Sequence, residues 1–295
     1  MLDEPPPPYM LAPPTSGTLF QALQSAQDFR TGAIQVDLNL YTGFLQTINK
    51  SYGQDENPQL FTTPGTTPSY ALYNALGGGQ TVQSSLYSAP YDLSTNEGGS
   101  VSTPDGSRAL YFRPPEIDDP ANPHLWLSYV SYGAMTFTGT DTSFNLPRRQ
   151  VDTFFYFGIP TAPSALPLSG TGVFDGIAQG RLYAPSTAYH LSGTAHFEAD
   201  FTDQTFTTEM NLTQQASDSP TKESLGTFGG AGGISSDGTF RGVWTQSSAG
   251  YIGSILGAFF GPHAQEIGYS FGINKPDLSA IGGGVVVGGV QVDAP

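Results

Sequence analysis

Hydrophobic and polar residues alternate along much of this chain with the two-residue period of half-buried strands. Ile34, Val36, Leu38 and Leu40 alternate with Gln35, Asp37 and Asn39. Farther along, Ala195, Phe197, Ala199 and Phe201 share one face of a predicted strand while His196, Glu198 and Asp200 share the other. Phe206, Thr208, Met210 and Leu212 repeat the pattern against Thr207, Glu209 and Asn211. Thr202-Asp203 is the predicted turn of that hairpin, and Asp237-Gly238 marks a second, because glycine accepts the positive φ of tight primed turns. Leu125 to Thr138 and Val151 to Gly158 are aromatic and β-branched runs of the same kind. From Ser164 onward, strand-length segments recur near 170–177, 179–184, 189–201, 204–213, 225–234, 238–247, 250–260, 264–273 and 281–292. Turn residues separate them about every ten residues, a spacing that predicts an antiparallel barrel with a side-chain-filled interior.

Other stretches break the pattern. Residues 1–17 are proline-rich and predict a semi-rigid polyproline tether. Thr18 to Arg30, with Leu19, Phe20, Leu23 and Ala26 on one face, predicts a short helix. Residues 49–69 and 88–108, rich in Pro, Gly, Asn and Ser, predict loops. The expected fold is all-β and mainly antiparallel: a tether over 1–17, an N-terminal β-rich domain over 18–163, and an eight-stranded antiparallel β-barrel over 164–295.

Charge narrows the list of partners. The formal net charge is −15, with only three lysines, Lys50, Lys222 and Lys275, so no basic stripe exists to neutralise phosphates. Nucleic acid is therefore excluded as a partner, and an anionic membrane surface would repel the chain. The absence of cysteine removes disulfides, thiolate nucleophiles and Cys-ligated zinc. No run of about 18 apolar residues occurs, and Met1-Leu2-Asp3 does not begin a signal segment. A soluble chain is expected, the mature part of something longer.

Four segments in order resemble the bacterial surface lipoproteins that include transferrin-binding protein B and factor H-binding protein. They are LWLSYVSYGAMTF, TFFYFGIPTAPSALPLSGTGVFDG, LSGTAHFEADFTDQTFT and GAFFGPHAQEIGYSF. In the last, Gly257, Phe259, Phe260, Gly261, Pro262, Ala264 and Glu266 match the family's strand, Gly-Pro turn and following strand. The likeness covers about residues 120–295. It implies an N-terminal handle followed by an eight-stranded barrel, and a lipoprotein displayed on the outer membrane through an N-terminal lipid anchor that lies outside this sequence. Such a protein captures a solute or protein, with iron or haem cargo among the options, and presents it to a TonB-dependent outer-membrane receptor. Whichever of Phe259 and Phe260 points into the barrel is expected to cost about 3–5 kcal/mol on truncation to alanine, and the other much less.

Each chemical motif has a competing structural explanation. Gly268-Tyr269-Ser270-Phe271-Gly272 has the letters of a nucleophile elbow, but no histidine follows His263 and Asn274-Lys275-Pro276 blocks the required helix. His196, Glu198 and Asp200 lie about 6–7 Å from one neighbour to the next on a strand face and could share zinc or iron, or form a solvated outer face. His190 is six residues earlier, about 20 Å along an extended strand, and cannot join that set. His124 and His263 are candidate axial haem ligands or surface histidines. No carboxylate pair singles itself out for glycoside hydrolysis, so no catalytic activity is expected, and no cofactor is assigned beyond the haem option. Glycine runs at 226–233 and 282–289 miss the phosphate-binding patterns and predict closely approaching or sharply curved strands. The tyrosine-rich first half supplies the expected contact surface, with Tyr87, Tyr91, Arg108 and Arg113 in loops as partner-binding candidates. A structural or adhesive surface protein without cargo is the alternative, and a glycan-active enzyme the third reading.

Overall fold

The computed structural model describes residues 30–39, 45–52, 99–102, 108–112, 127, 129–141, 146–158, 160–184 and 187–290. The expected tether, the expected helix before Arg30, and the candidates Tyr87, Tyr91, Arg113 and His124 lie outside them.

Two antiparallel sheets make up the described chain. Strands β1 (Arg30–Asn39), β2 (Leu45–Tyr52), β3 (Gly99–Ser102), β4 (Arg108–Phe112), β5 (Val130–Asp141) and β6 (Leu146–Gly158) form the first, in the order β2-β1-β6-β5-β4-β3. Strands β7 (Thr171–Ala184), β8 (Thr187–Asp200), β9 (Thr205–Ala216), β10 (Lys222–Ile234), β11 (Thr239–Ser247), β12 (Ile252–Phe260), β13 (Glu266–Asn274) and β14 (Ile281–Val290) close the second into a barrel. Pairing of β14 with β7 completes the ring, so no barrel strand has a free edge. The all-β class and the eight-stranded barrel are as the alternation predicts.

The differences have a physical cause. The segments expected as 170–177 and 179–184 are one strand, β7, because its middle is covered on both faces. Ile177 and Ala178 are consecutive and both buried, which erases the alternation that marks a half-buried strand. Strands β2 and β3 also occupy parts of the two segments expected as loops, and Arg108 opens β4 rather than sitting in a loop.

Aromatic rings fill the barrel. Phe197 stacks on Phe206 at 4.9 Å between centroids, and Phe240 lies 4.8 Å from Phe197 on another side. Phe259 packs against Phe174, Phe197, Phe201 and Phe240. Toward the other end, Phe228 meets Trp244 and Tyr251, and the Trp244 indole donates to the Gly272 carbonyl at 3.0 Å. Burying each such ring contributes about 1.5–3 kcal/mol relative to leaving it in water. The predicted close approach of glycine strands occurs: a Cβ at Gly232 would run into the Arg241 carbonyl on β11, and one at Gly284 into the Gln179 carbonyl on β7.

A second core lies between the sheet and the barrel. Val130, Tyr132, Phe154 and Tyr156 of the sheet pack there with Ile177, Ala258, Phe260, Val285 and Val287 on the outer wall of the barrel. Strands β13 and β14 are consequently buried on both faces over nearly their whole length.

Candidate functional site

The turn between β12 and β13 joins the two sheets. Gly261 enters it with φ +85°, a conformation that favours glycine, and Ala264 leaves it with φ +57°. A Cβ at Gly261 would also lie 2.7 Å from the Tyr129 ring. The Thr161 hydroxyl donates to the Gly261 carbonyl at 2.7 Å, and the Thr161 N–H donates to the Phe259 carbonyl at 3.0 Å. Glu266, just past the turn and 1% exposed, accepts the N–H groups of both Tyr129 and Val130 on Oε2, each at 2.7 Å. A buried carboxylate needs such donors to offset lost hydration. Burial, and secondarily the Glu266 charge, raise the Tyr129 phenol above its ordinary pKa. The motif read from Gly257 to Glu266 therefore works as a docking joint for the chain entering β5 and leaving β6.

This joint corrects the expectation for its phenylalanines. Phe259 and Phe260 are both fully buried, one in the barrel and one against Tyr156 of the sheet. The outward residue is covered because the sheet lies on that part of the wall.

On the outer wall, His196 is paired differently from the sequence grouping. Its Nδ1 lies 2.7 Å from Asp175 Oδ1, the cross-strand residue on β7, and its Nε2 lies 3.3 Å from Glu198 Oε1. Asp200 instead accepts the Thr202 and Asp203 N–H groups at 2.9 and 3.0 Å and braces the hairpin turn. The hydrogen bond to Asp175, and less strongly that to Glu198, raise the His196 pKa against an opposing effect of desolvation. Among the described residues no group of three or more His, Cys, Asp or Glu side chains has a geometry that could hold a metal ion. Asp175 could have been found only from strand register, since it lies 21 residues away from His196 in sequence.

The other candidates occupy ordinary structural positions. Ser270 is buried in the middle of β13, and its hydroxyl donates to the Leu256 carbonyl at 3.2 Å, so the elbow letters sit in a continuous strand. His263 is exposed in the β12–β13 turn. Tyr132 belongs to the core between sheet and barrel, and Tyr129 is half-buried beside it.

Neither a protein-family profile nor a curated protein sequence matches the chain. Solved structures similar to it include a variant of the vaccine antigen transferrin-binding protein B from Haemophilus parasuis, at 16% identity and TM-score 0.47 over 90% of this chain and 45% of that one. Isotype 1 transferrin-binding protein B from serogroup B Neisseria meningitidis is similar at 15% identity and TM-score 0.44 over 89% and 44% of the respective chains. A surface lipoprotein is similar at 15% identity and TM-score 0.35, over 66% of this chain and 99% of its own. The chain thus spans less than half the length of the transferrin-binding proteins named here. The barrel itself is established by its strand pairing.

Proposed function

We propose that this protein is a surface-displayed binding protein whose barrel is a rigid scaffold and whose outer surface and first-half loops capture a partner. The observation that supports it is the filled barrel: stacked rings from Phe174 to Phe271 take the lumen, leaving recognition to the outside. In this reading the chain is a lipoprotein of the outer membrane, held by a lipid anchor upstream of the proline-rich run. It takes up a solute or protein, iron- or haem-related cargo included, and presents it to a TonB-dependent receptor. The net charge of −15 favours a basic partner face over an anionic one.

The test is capture by the immobilised full chain, followed by mass spectrometry and visible absorption of what it retains. Substituting Tyr87, Tyr91, Arg108 or Arg113 by alanine should weaken capture by about tenfold or more for a hot-spot position. Changing His196, Glu198 and Asp200 together should leave it intact. Loss of binding only in the triple variant would overturn the reading in favour of a site on the barrel wall. Retention of nothing by the unmodified chain would favour the adhesive alternative.

A further inference from the structure

A chain of polar side chains crosses from the sheet to the barrel at the end opposite Glu266. Asp152 of β6 has a side chain only 2% exposed. Tyr183 of β7 donates its hydroxyl to Asp152 Oδ2, and Arg181 Nε lies 3.8 Å from the same oxygen. The Arg181 Nη2 then lies 3.3 Å from Nε2 and 3.4 Å from Nδ1 of His190 on β8. The neighbours set by strand register are uncharged: Val36 of β1 and Thr136 of β5 face Asp152, Gly283 of β14 faces Arg181, and Gln215 of β9 faces His190. Thr47 of β2 pairs with Val36, and Lys222 of β10 pairs with Gln215.

We propose that His190 is an acid-sensitive release for this contact, in which protonation of its ring displaces Arg181 from Asp152 and loosens the sheet from the barrel at this end. A neutral imidazole always has one nitrogen free to accept, and Nη2 sits within reach of both, so either tautomer can take its hydrogen bond. An imidazolium has two donors and no acceptor. It would set a second positive charge about 3.3 Å from the guanidinium. Asp152 is buried, and the cation and the phenol that face it are among the groups that stabilise its carboxylate. Burial, and then the Arg181 charge, hold His190 below the ordinary histidine pKa, with Asp152 opposing them. With a depressed folded-state pKa, the stabilisation is complete above the unfolded value of about 6.5 and is lost as pH falls through the folded value. The ring is therefore neutral at neutral pH, and the release belongs to mildly acidic conditions.

Hydrogen exchange on the intact full chain tests this, comparing amides of β6 with those of β9 at pH 7.5 and 5.5 after correction for intrinsic rates. We expect β6 protection to fall measurably at the lower pH while β9 keeps its protection. In the His190→Gln variant, which keeps an acceptor and cannot charge, β6 should show no such loss. An equal acid response in the original chain and the variant would overturn the proposal. So would loss of protection in β6 and β9 together, which would report global unfolding.

Discussion

Phe259 and Phe260 are adjacent in sequence, yet their rings belong to two different cores: Phe259 packs among Phe174, Phe197 and Phe240 inside the barrel, and Phe260 packs edge-on against Tyr156 of the six-stranded sheet. A strand that separates two cores has no solvent face, and β12 reaches that condition at its end. Truncating either ring should therefore be costly. Phe259→Ala and Phe260→Ala are each expected to lose about 3–5 kcal/mol in chemical denaturation, as buried aromatic truncations do. They should differ in character: Phe260→Ala should make the sheet strands sensitive to proteolysis before the barrel, whereas Phe259→Ala should weaken the barrel itself. A loss under about 1 kcal/mol at Phe260 would contradict its burial.

What the sequence disclosed and what it concealed follow from the same two cores. Strands β8 and β9 have one wet face, so their alternation marked both the strands and the hairpin between them. Strand β7 was legible only as two pieces, since Ile177 and Ala178 are both covered. The joint at Gly257 to Glu266 was visible as a motif, but its purpose depends on Tyr129 and Val130, more than 130 residues away. Likewise Asp175 joins His196, and Asp152 joins Arg181, only through strand pairing and sheet packing, which no local pattern encodes.

Glu266 gives a sharper test of the joint. Glu266→Ala leaves the Tyr129 and Val130 N–H groups without this acceptor in a buried place, at a cost of about 1–3 kcal/mol for each. Glu266→Gln retains a carbonyl oxygen of the same reach and should lose clearly less. Denaturant midpoints of the two variants check the order; equal losses would mean that the charge, not the two hydrogen bonds, holds the joint.

His196 predicts a pH dependence of opposite sign to that of His190. Its folded-state pKa is raised, chiefly by Asp175 and secondarily by Glu198. The pairing therefore stabilises the protein fully below the unfolded value of about 6.5, and the contribution is lost as pH rises through the higher folded value. The His196 side chain is 47% exposed, which limits the effect to under about 1 kcal/mol. Unfolding free energies measured from pH 6 to 8 should show the advantage of the original chain over His196→Gln shrinking as pH rises. An advantage that grows would contradict the pairing.

The barrel closes on itself, so a fragment beginning at Ser164 keeps all eight barrel strands and every ladder among them. It should fold, since closure leaves no unpaired barrel edge. Yet the cut removes Pro160, which bridges to Phe260, and Thr161, which holds the β12–β13 turn through two hydrogen bonds. It also strips the sheet from Ile177, Ala258, Phe260, Val285 and Val287, which share one patch of outer wall. Contiguous exposed apolar surface of that kind drives association. The fragment is therefore expected to give a cooperative melt and dispersed amide resonances at low concentration, but to self-associate as concentration rises. Replacing Val285 and Val287 by threonine should reduce that association without abolishing the melt. A fragment that remains monomeric at high concentration would show that this wall is not a sheet-covered face, and one that never folds would show that the barrel needs the sheet to close.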